Sequence, residues 1–358
     1  MPPLLTLTIP KPDDWHLHLR DGVVLKAVLP TTARHFARAV IMPNLKPAIT
    51  TTAAAAAYRE RIREALPPPM TFTPLMTAYL TDTTDPDDLE RGYSEGVLFA
   101  AKLYPAGATT NSDQGVTDMQ AISAILDRLQ KIGMPLLIHG EVADPTVDFF
   151  DREAVFIDRV LIPLRRNFPA LKIVMEHITT RYAANYIVSE AQSSGGKLAA
   201  TITAHHMRIN RNAMFEGGMN PHHFCLPVAK REEDRLAVVI AATSGAPMFF
   251  AGTDSAPHPR TAKESSHGFG GIFSAPNALA LYAEVFEEAG ALDRLENFLS
   301  LNGPAFYDLP VNAASLKLEK QAAPEEPLKS ILTEDGQEIV TFPTESRLSW
   351  RVAPKEPL

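Results

Sequence analysis

Six short apolar stretches of this chain each run into polar residues that can bind a metal ion or a carboxylate. They read Trp15-His16-Leu17-His18-Leu19-Arg20-Asp21-Gly22, Met42-Pro43-Asn44, Ala101-Lys102-Leu103-Tyr104-Pro105, Leu137-Ile138-His139-Gly140-Glu141, Met175-Glu176-His177 and Gly252-Thr253-Asp254-Ser255-Ala256-Pro257-His258. His16 and His18 are two apart, so on an extended strand their side chains point the same way and two imidazoles can reach one ion. A lone His-x-His pair is a weak signal, and His139 or His177 taken singly reads most simply as a hydrogen-bonded core histidine. Four histidines and Asp254, all at the ends of apolar runs, point together to a metal site. Imidazole and carboxylate are the usual zinc ligands, and catalytic sites leave a coordination position open.

Lys102 stands apart. A lysine within Leu98-Phe99-Ala100-Ala101-Lys102-Leu103 is costly to bury as a cation. Either its charge reaches solvent along its stem, or burial keeps the amine neutral and reactive. A neutral amine can add carbon dioxide, and the resulting carbamate has two anionic oxygens able to bridge two cations.

Positioning these residues requires a frame that brings the ends of the runs together. Eight apolar runs occur, at about Asp13–Leu19, Ala39–Pro43, Phe72–Ala78, Gly96–Leu103, Pro135–His139, Lys172–His177, Leu198–Ala204 and Pro247–Gly252. Between them lie segments of helix formers with apolar residues at three- and four-residue spacing: Thr52–Leu66, Asp118–Ile132, Phe149–Asn167, Arg181–Gln192 and Glu232–Thr243. Strand then helix, repeated eight times over about 250 residues, predicts an α/β fold, a (β/α)8 TIM barrel whose strand ends share one face. A doubly wound open sheet has the same local pattern. The stretch from about 311 to 358, with its alternating polar and apolar residues and scattered prolines, is expected to be an appendage packed on the barrel, with partial disorder as the alternative. The whole chain is read as one domain, its barrel spanning about 10–310.

Composition narrows the function class. The 358 residues are 45% hydrophobic with a formal net charge of -8, which offers no general attraction to nucleic acid or an anionic membrane. No apolar run approaches the eighteen residues of a membrane span, and Met1-Pro-Pro-Leu-Leu-Thr lacks the basic start of a signal peptide. The single cysteine, Cys225, excludes an intrachain disulfide and suits the reducing cytosol, so a cytoplasmic location is expected. It is read as a buried thiol, since better chemistry lies elsewhere.

Taken together, His16-x-His18, Lys102, His139, His177 and Asp254 resemble the metal set of the amidohydrolase superfamily. The flanking motifs His16-Leu-His-Leu-Arg-Asp-Gly22, Met42-Pro-Asn44, Lys102-Leu-Tyr-Pro105, Glu176-His-Ile178, Asp254-Ser-Ala-Pro-His258 and Lys263-Glu-Ser-Ser266 resemble the dihydroorotases of the shorter, monofunctional bacterial type, over about residues 10–310. Gly268-Phe-Gly-Gly271 departs from the more cysteine- and alanine-containing stretch of some relatives.

The resemblance implies two Zn2+ per subunit, one held by His16, His18 and Asp254 and the other by His139 and His177. N6-carboxylated Lys102 and a hydroxide would bridge them. It implies reversible, zinc-dependent cyclisation of N-carbamoyl-L-aspartate to L-dihydroorotate in pyrimidine biosynthesis, with Asp254 as the general acid–base, in a homodimer. A guanidinium pairs with a carboxylate through two hydrogen bonds, so Arg20, with Asn44 and His258, is expected to clamp the substrate carboxylate. Thr109 and Thr110, in the stretch Ala106–Asp113, would reach the substrate from a lid. Leu226 and Gly270 would offer backbone hydrogen bonds, and His139 would also touch the substrate. His35, His205, His206, His222, His223 and His267 are read as structural or surface residues. Two rivals are a hydantoinase or dihydropyrimidinase, whose substrates lack the carboxylate that Arg20 would read, and a catalytically dead scaffold, which the complete ligand set argues against.

Overall fold

The computed structural model describes residues 5–193, 195–343 and 347–354. After β1 (Leu5–Pro10) come eight strands, one in each expected run: β2 (Asp13–Leu17), β3 (Arg38–Ile41), β4 (Thr73–Tyr79), β5 (Ala100–Leu103), β6 (Leu136–His139), β7 (Ile173–Glu176), β8 (Leu198–Ile202) and β9 (Phe249–Ala251). They pair in parallel in the unbroken order β2 to β9. A doubly wound sheet would reverse its order at a switch point. Here the first strand instead meets the last: Asp254 N donates to His16 O at 2.9 Å and His18 N to Ser255 O at 3.1 Å. The fold is therefore a TIM barrel. Every residue of β5, β6, β7 and β8 is buried, which is why these strands read as continuous apolar runs and not as alternating ones.

Inside the barrel Trp15, Val40, Ala100, Leu137, Val174, Ala199 and Phe250 form one cluster, with Tyr307 stacked on Trp15. Two residues further along, Ala100 gives way to Lys102, Leu137 to His139 and Val174 to Glu176. The pleat thus carries each polar side chain inward above an apolar layer. The outer faces pack against helices. In Thr52–Ala65, Thr51 caps the first turn by accepting from Ala54 N at 3.2 Å, and Ala55, Tyr58 and Ile62 turn inward at helical spacing. The helix expected from Asp118 begins at Ser123 and stops at Gly133, whose φ of +75° is the left-handed cap that glycine favours. The helical stretch expected over Phe149–Asn167 starts at Arg152 and contains a π-helical turn at Ile157–Leu161.

The alternation in the tail is that of strands. β10 (Ser315–Glu325) pairs antiparallel with β1 on one side and β13 (Leu348–Val352) on the other, while β11 (Ser330–Leu332) and β12 (Glu338–Val340) form a hairpin. Trp350 is buried and donates to Glu287 Oε2 at 3.1 Å. Strand β1 was not anticipated, although Leu5-Thr-Leu-Thr-Ile alternates; its partner lies some three hundred residues away. Among the described residues no helix is long and apolar enough to cross a membrane.

Candidate metal centre

The site is built at the C-terminal ends of the barrel strands. Against β3, strand β2 carries one extra residue between Asp14 and Leu17, a bulge. Strict alternation would put Trp15 and His16 on opposite faces. The bulge lets Trp15 fill the interior while His16 also turns inward, one layer higher. Asp14 fixes this turn: it accepts from Thr253 N at 2.8 Å and Thr253 Oγ1 at 2.6 Å, tying β2 to the segment after β9. Burial raises its pKa to about 6 against those bonds. Gly252 is required here, because a Cβ would stand 2.9 Å from Thr201 Cβ and 3.1 Å from His16 Cβ.

His16 Nε2 and His18 Nε2 lie 3.2 Å apart, and both face Asp254 Oδ1, at 3.2 and 3.1 Å. A second group comprises His16, Glu176 and His177. His177 and Asp254 hold φ values of +44° and +45°, and Arg20 one of +61°. Left-handed backbone costs a non-glycine residue about 1–3 kcal/mol and persists where the surroundings impose it. Three of the five such residues in the described structure are expected site residues, so the strain sits where the side chains must converge.

Lys102 is completely buried, which removes the alternative that its charge reaches solvent. Its Nζ contacts Glu176 Oε2 and lies 4.6 Å over the Tyr104 ring. Burial lowers the Lys102 pKa against the raising effect of Glu176. Burial would raise Glu176, but His16 and Lys102 hold it below the ordinary carboxylate range. His16 Nδ1 is 2.9 Å from Glu176 Oε1, a charge contact without hydrogen-bond alignment. Burial would lower His16, yet Glu176 and Asp254 raise it to about 9, whereas burial takes His18 down to about 4. Burial would also raise Asp254, but His16 and His18 keep it well below the usual carboxylate range.

His139 stands beside His177, ring centroids 5.0 Å apart, and its Nε2 lies 3.0 Å from Glu141 Oε2. A proton held on Nε2 leaves Nδ1 as the lone-pair donor, the arrangement in which a carboxylate orients a ligating histidine. His177 Nδ1 is buried without a hydrogen-bond partner. Converging nitrogen and carboxylate donors, together with this orphaned polar atom, fit cations bound among these residues.

Most of the expected substrate residues fall into two hydrogen-bonded groups beside this cluster. His18 Nδ1 meets Asn44 Oδ1 at 2.9 Å, and Asn44 Nδ2 donates to Thr110 O at 3.0 Å. Thr110 Oγ1 donates to Gly270 O at 3.2 Å. Arg20 Nη2 donates to His258 Nε2 at 2.9 Å, and Arg20 Nε to Pro257 O at 3.0 Å. The Ala106–Asp113 stretch therefore lies against the site. Its turn is held by Ser112 Oγ, which donates to Thr109 O at 2.6 Å. Leu226 packs on Gly270, where a Cβ would come within 3.1 Å of Leu226 Cγ.

Three contributors were not singled out from sequence. Glu176 had a readable signal, as an acid at an inward position just before His177. Glu141 likewise follows His139 by two. Lys263 lay in a quoted motif without a role; its Nζ donates to the carbonyls of Phe224, Phe269 and Gly271 at 2.7–2.8 Å and so anchors the segments that carry Leu226 and Gly270. Cys225 is buried, and burial raises its thiol well above the ordinary range, which disfavours the reactive thiolate.

A family model described as the amidohydrolase family matches residues 8–323. A dihydroorotase of Synechococcus sp. (strain RCC307) is 59% identical over 347 residues, covering 97% of this chain and 98% of its own. Among solved structures, a dihydroorotase of Campylobacter jejuni is 36% identical with a TM-score of 0.86 and 97% of each chain covered. A dihydroorotase of Saccharomyces cerevisiae, solved in complex with 5-fluoroorotic acid, is 33% identical with a TM-score of 0.89, covering 99% of this chain and 100% of its own.

Proposed function

We propose, given that this chain belongs to the amidohydrolase family and within it to the dihydroorotases, that it interconverts N-carbamoyl-L-aspartate and L-dihydroorotate, in pyrimidine biosynthesis. The enzyme is metal-dependent and acts on a small molecule. The observation that carries the reading is the convergence of His16, His18 and Asp254 within 3.2 Å of one another, next to the Arg20–His258 pair. In this reading His16, His18 and Asp254 would hold one zinc ion and His139 and His177 the other, with N6-carboxylated Lys102 as a ligand to both. When bound, the two ions supply a nucleophile at neutral pH and polarise the amide oxygen.

The remaining steps belong to the chain itself. Lys102 Nζ, its pKa lowered by burial against the pull of Glu176, would attack carbon dioxide as the free amine after giving up its ammonium proton; a nitrogen–carbon bond forms and a second proton leaves. In ring opening, Asp254 takes the proton of the attacking water, a carbon–oxygen bond forms at the ring carbonyl, the carbon–nitrogen bond breaks, and Asp254 returns the proton to the leaving nitrogen. Ring closure is the same sequence reversed. Arg20, flanked by His258 and Asn44, clamps the carboxylate outside the reacting centre, and Leu226 and Gly270 offer backbone groups to the ring. His258 supports this as a neutral acceptor, since burial and Arg20 hold its pKa well below the ordinary value. By the same resemblance the protein is a cytoplasmic homodimer with one amidohydrolase domain over 1–358. A panel of dihydroorotate, carbamoyl-aspartate, dihydrouracil and hydantoin, run on zinc-loaded protein, tests the assignment. Much faster turnover of the two carboxylated compounds than of dihydrouracil or hydantoin is expected, and preference for hydantoin or dihydrouracil would overturn it.

Arg20→Met is expected to weaken both carboxylated substrates by roughly 2–5 kcal/mol, the range for truncating a buried charged partner. Residual activity on dihydrouracil should change far less. Equal losses on carboxylated and uncarboxylated compounds would show that Arg20 supports structure through Pro257 and does not read the carboxylate.

The double change Thr109→Ala and Thr110→Ala removes the Thr110–Gly270 bond and the lid hydroxyls. Lower kcat/KM with unchanged zinc content and Tm is expected. Amides of 106–113 should exchange more slowly once a carboxylated ligand is bound. Ligand-independent exchange, with stability as the main defect, would retire the lid.

A further inference from the structure

We propose that His205, His206 and Cys225 form a third cation site, suited to a soft monovalent ion such as copper(I). One ligand atom from each residue lies within 4.8 Å of the other two. The side chains are almost wholly inaccessible, with relative exposures of 0%, 3% and 1%. They come from two segments. Thr203 caps the short helix Ala204–Arg208 after β8 and sets the two histidines side by side, ring centroids 4.5 Å apart. Cys225 arrives from the segment after the turn at Pro221–His223.

His205 distinguishes this cluster from a packed core. Both of its ring nitrogens are buried and neither has a hydrogen-bond partner. One imidazole nitrogen is a donor and the other an acceptor, and leaving buried polar groups unpaired is costly. Satisfied core histidines look like His206. Its Nδ1 meets Thr203 Oγ1 at 2.8 Å and its Nε2 meets Pro227 O at 2.9 Å, with Cys225 Sγ 3.5 Å from that Nε2. The contact with Thr203 gives His206 a second tautomer. With the proton on Nδ1 and the Thr203 hydroxyl accepting it, Nε2 becomes a lone-pair donor 3.5 Å from the sulfur and gives up its bond to the Pro227 carbonyl.

Binding converts that arrangement as follows. The Cys225 thiol, now donating to Pro227 O at 3.2 Å, loses its proton to solvent as the metal–sulfur bond forms. His206 ligates through Nε2 and His205 through one free nitrogen. The donor set is two imidazoles and one thiolate, with no carboxylate in the group, which favours a soft ion. Charge decides its valence: a monovalent ion with one thiolate is neutral overall, whereas a divalent ion leaves a net positive charge at a dry site, where desolvation is expensive.

The test uses the full chain as purified, its metal content first measured as a baseline. It is titrated anaerobically with copper(I) buffered by bicinchoninate, and in parallel with zinc. One copper per chain above the baseline is expected, with a thiolate-to-copper absorption band in the ultraviolet and the original metal retained. His205→Gln and Cys225→Ser should each lose that copper while keeping the baseline metal and Tm. If the serine variant misfolds, the glutamine variant decides alone. Copper retained equally by the variants, no copper retained by the wild type, or copper that enters only by displacing the original metal would overturn the site. A third zinc on the same residues would overturn the choice of a monovalent ion.

Discussion

Lys102→Ala is expected to empty the metal centre and lower turnover by about two orders of magnitude or more, the loss of several kcal/mol of Lewis-acid stabilisation. The reason is charge. Two cations close together need an anion between them, and in the proposed site carboxylated Lys102 would supply it. Alanine leaves only His16 as a cationic neighbour of Glu176, inside a barrel where both Lys102 and Glu176 are buried. Breaking such a buried pair costs up to about 3–5 kcal/mol, so the metal-free variant should also melt earlier than the metal-free parent. Metal analysis of the purified variant, with steady-state rates in both directions, checks the first claim. Full occupancy with near-normal turnover would falsify the carbamate. An early melt with full occupancy would make Lys102 a structural counter-ion to Glu176.

Asp254→Asn isolates the proton transfer. Asparagine keeps the shape and one ligand oxygen, and it tolerates the left-handed backbone of position 254, φ +45°, better than most residues. The change therefore adds little strain. What it removes is the carboxylate that His16 and His18 hold in its ionised form. Turnover should fall by about two orders of magnitude or more, while KM stays within a few-fold if the metal content is unchanged. Wild-type kcat with both ions bound would place the shuttle elsewhere, and Glu176 would be the next acid to examine. Lost metal would show instead that Asp254 acts mainly as a ligand, a role His16 and His18 cannot fill without it.

The candidate site residues could be picked out because the frame is local. Each barrel strand lies in a short, largely apolar and largely buried run, and most of these runs end in a change to polar residues. His16, His18, Lys102, His139, His177 and Asp254 all sit at such changes, and the structure brings them to one mouth. The helix formers between the runs were equally readable, although the start of the helix at Ser123 and the π-turn at Ile157–Leu161 were not, since turn geometry there depends on what the segment packs against.

Pairings across distance and breaks in alternation belonged to the tertiary structure. The bulge in β2 decides that Trp15 and His16 share the barrel interior, which strict pleating would forbid. Closure of β9 onto β2 places Asp254 Oδ1 between two histidines more than two hundred residues away. The pairing of β1 with β10 needs partners from opposite ends of the chain. Glu176 contacts both His16 and Lys102, and His205 keeps two unpaired nitrogens beside Cys225; neither fact exists until strands and loops are stacked. The sequence determined the donor types and the strands that carry them, through short-range hydrophobic patterning. The tertiary structure decided which donors meet, because the angstrom-scale distances between them follow from register, closure and packing that no local pattern encodes.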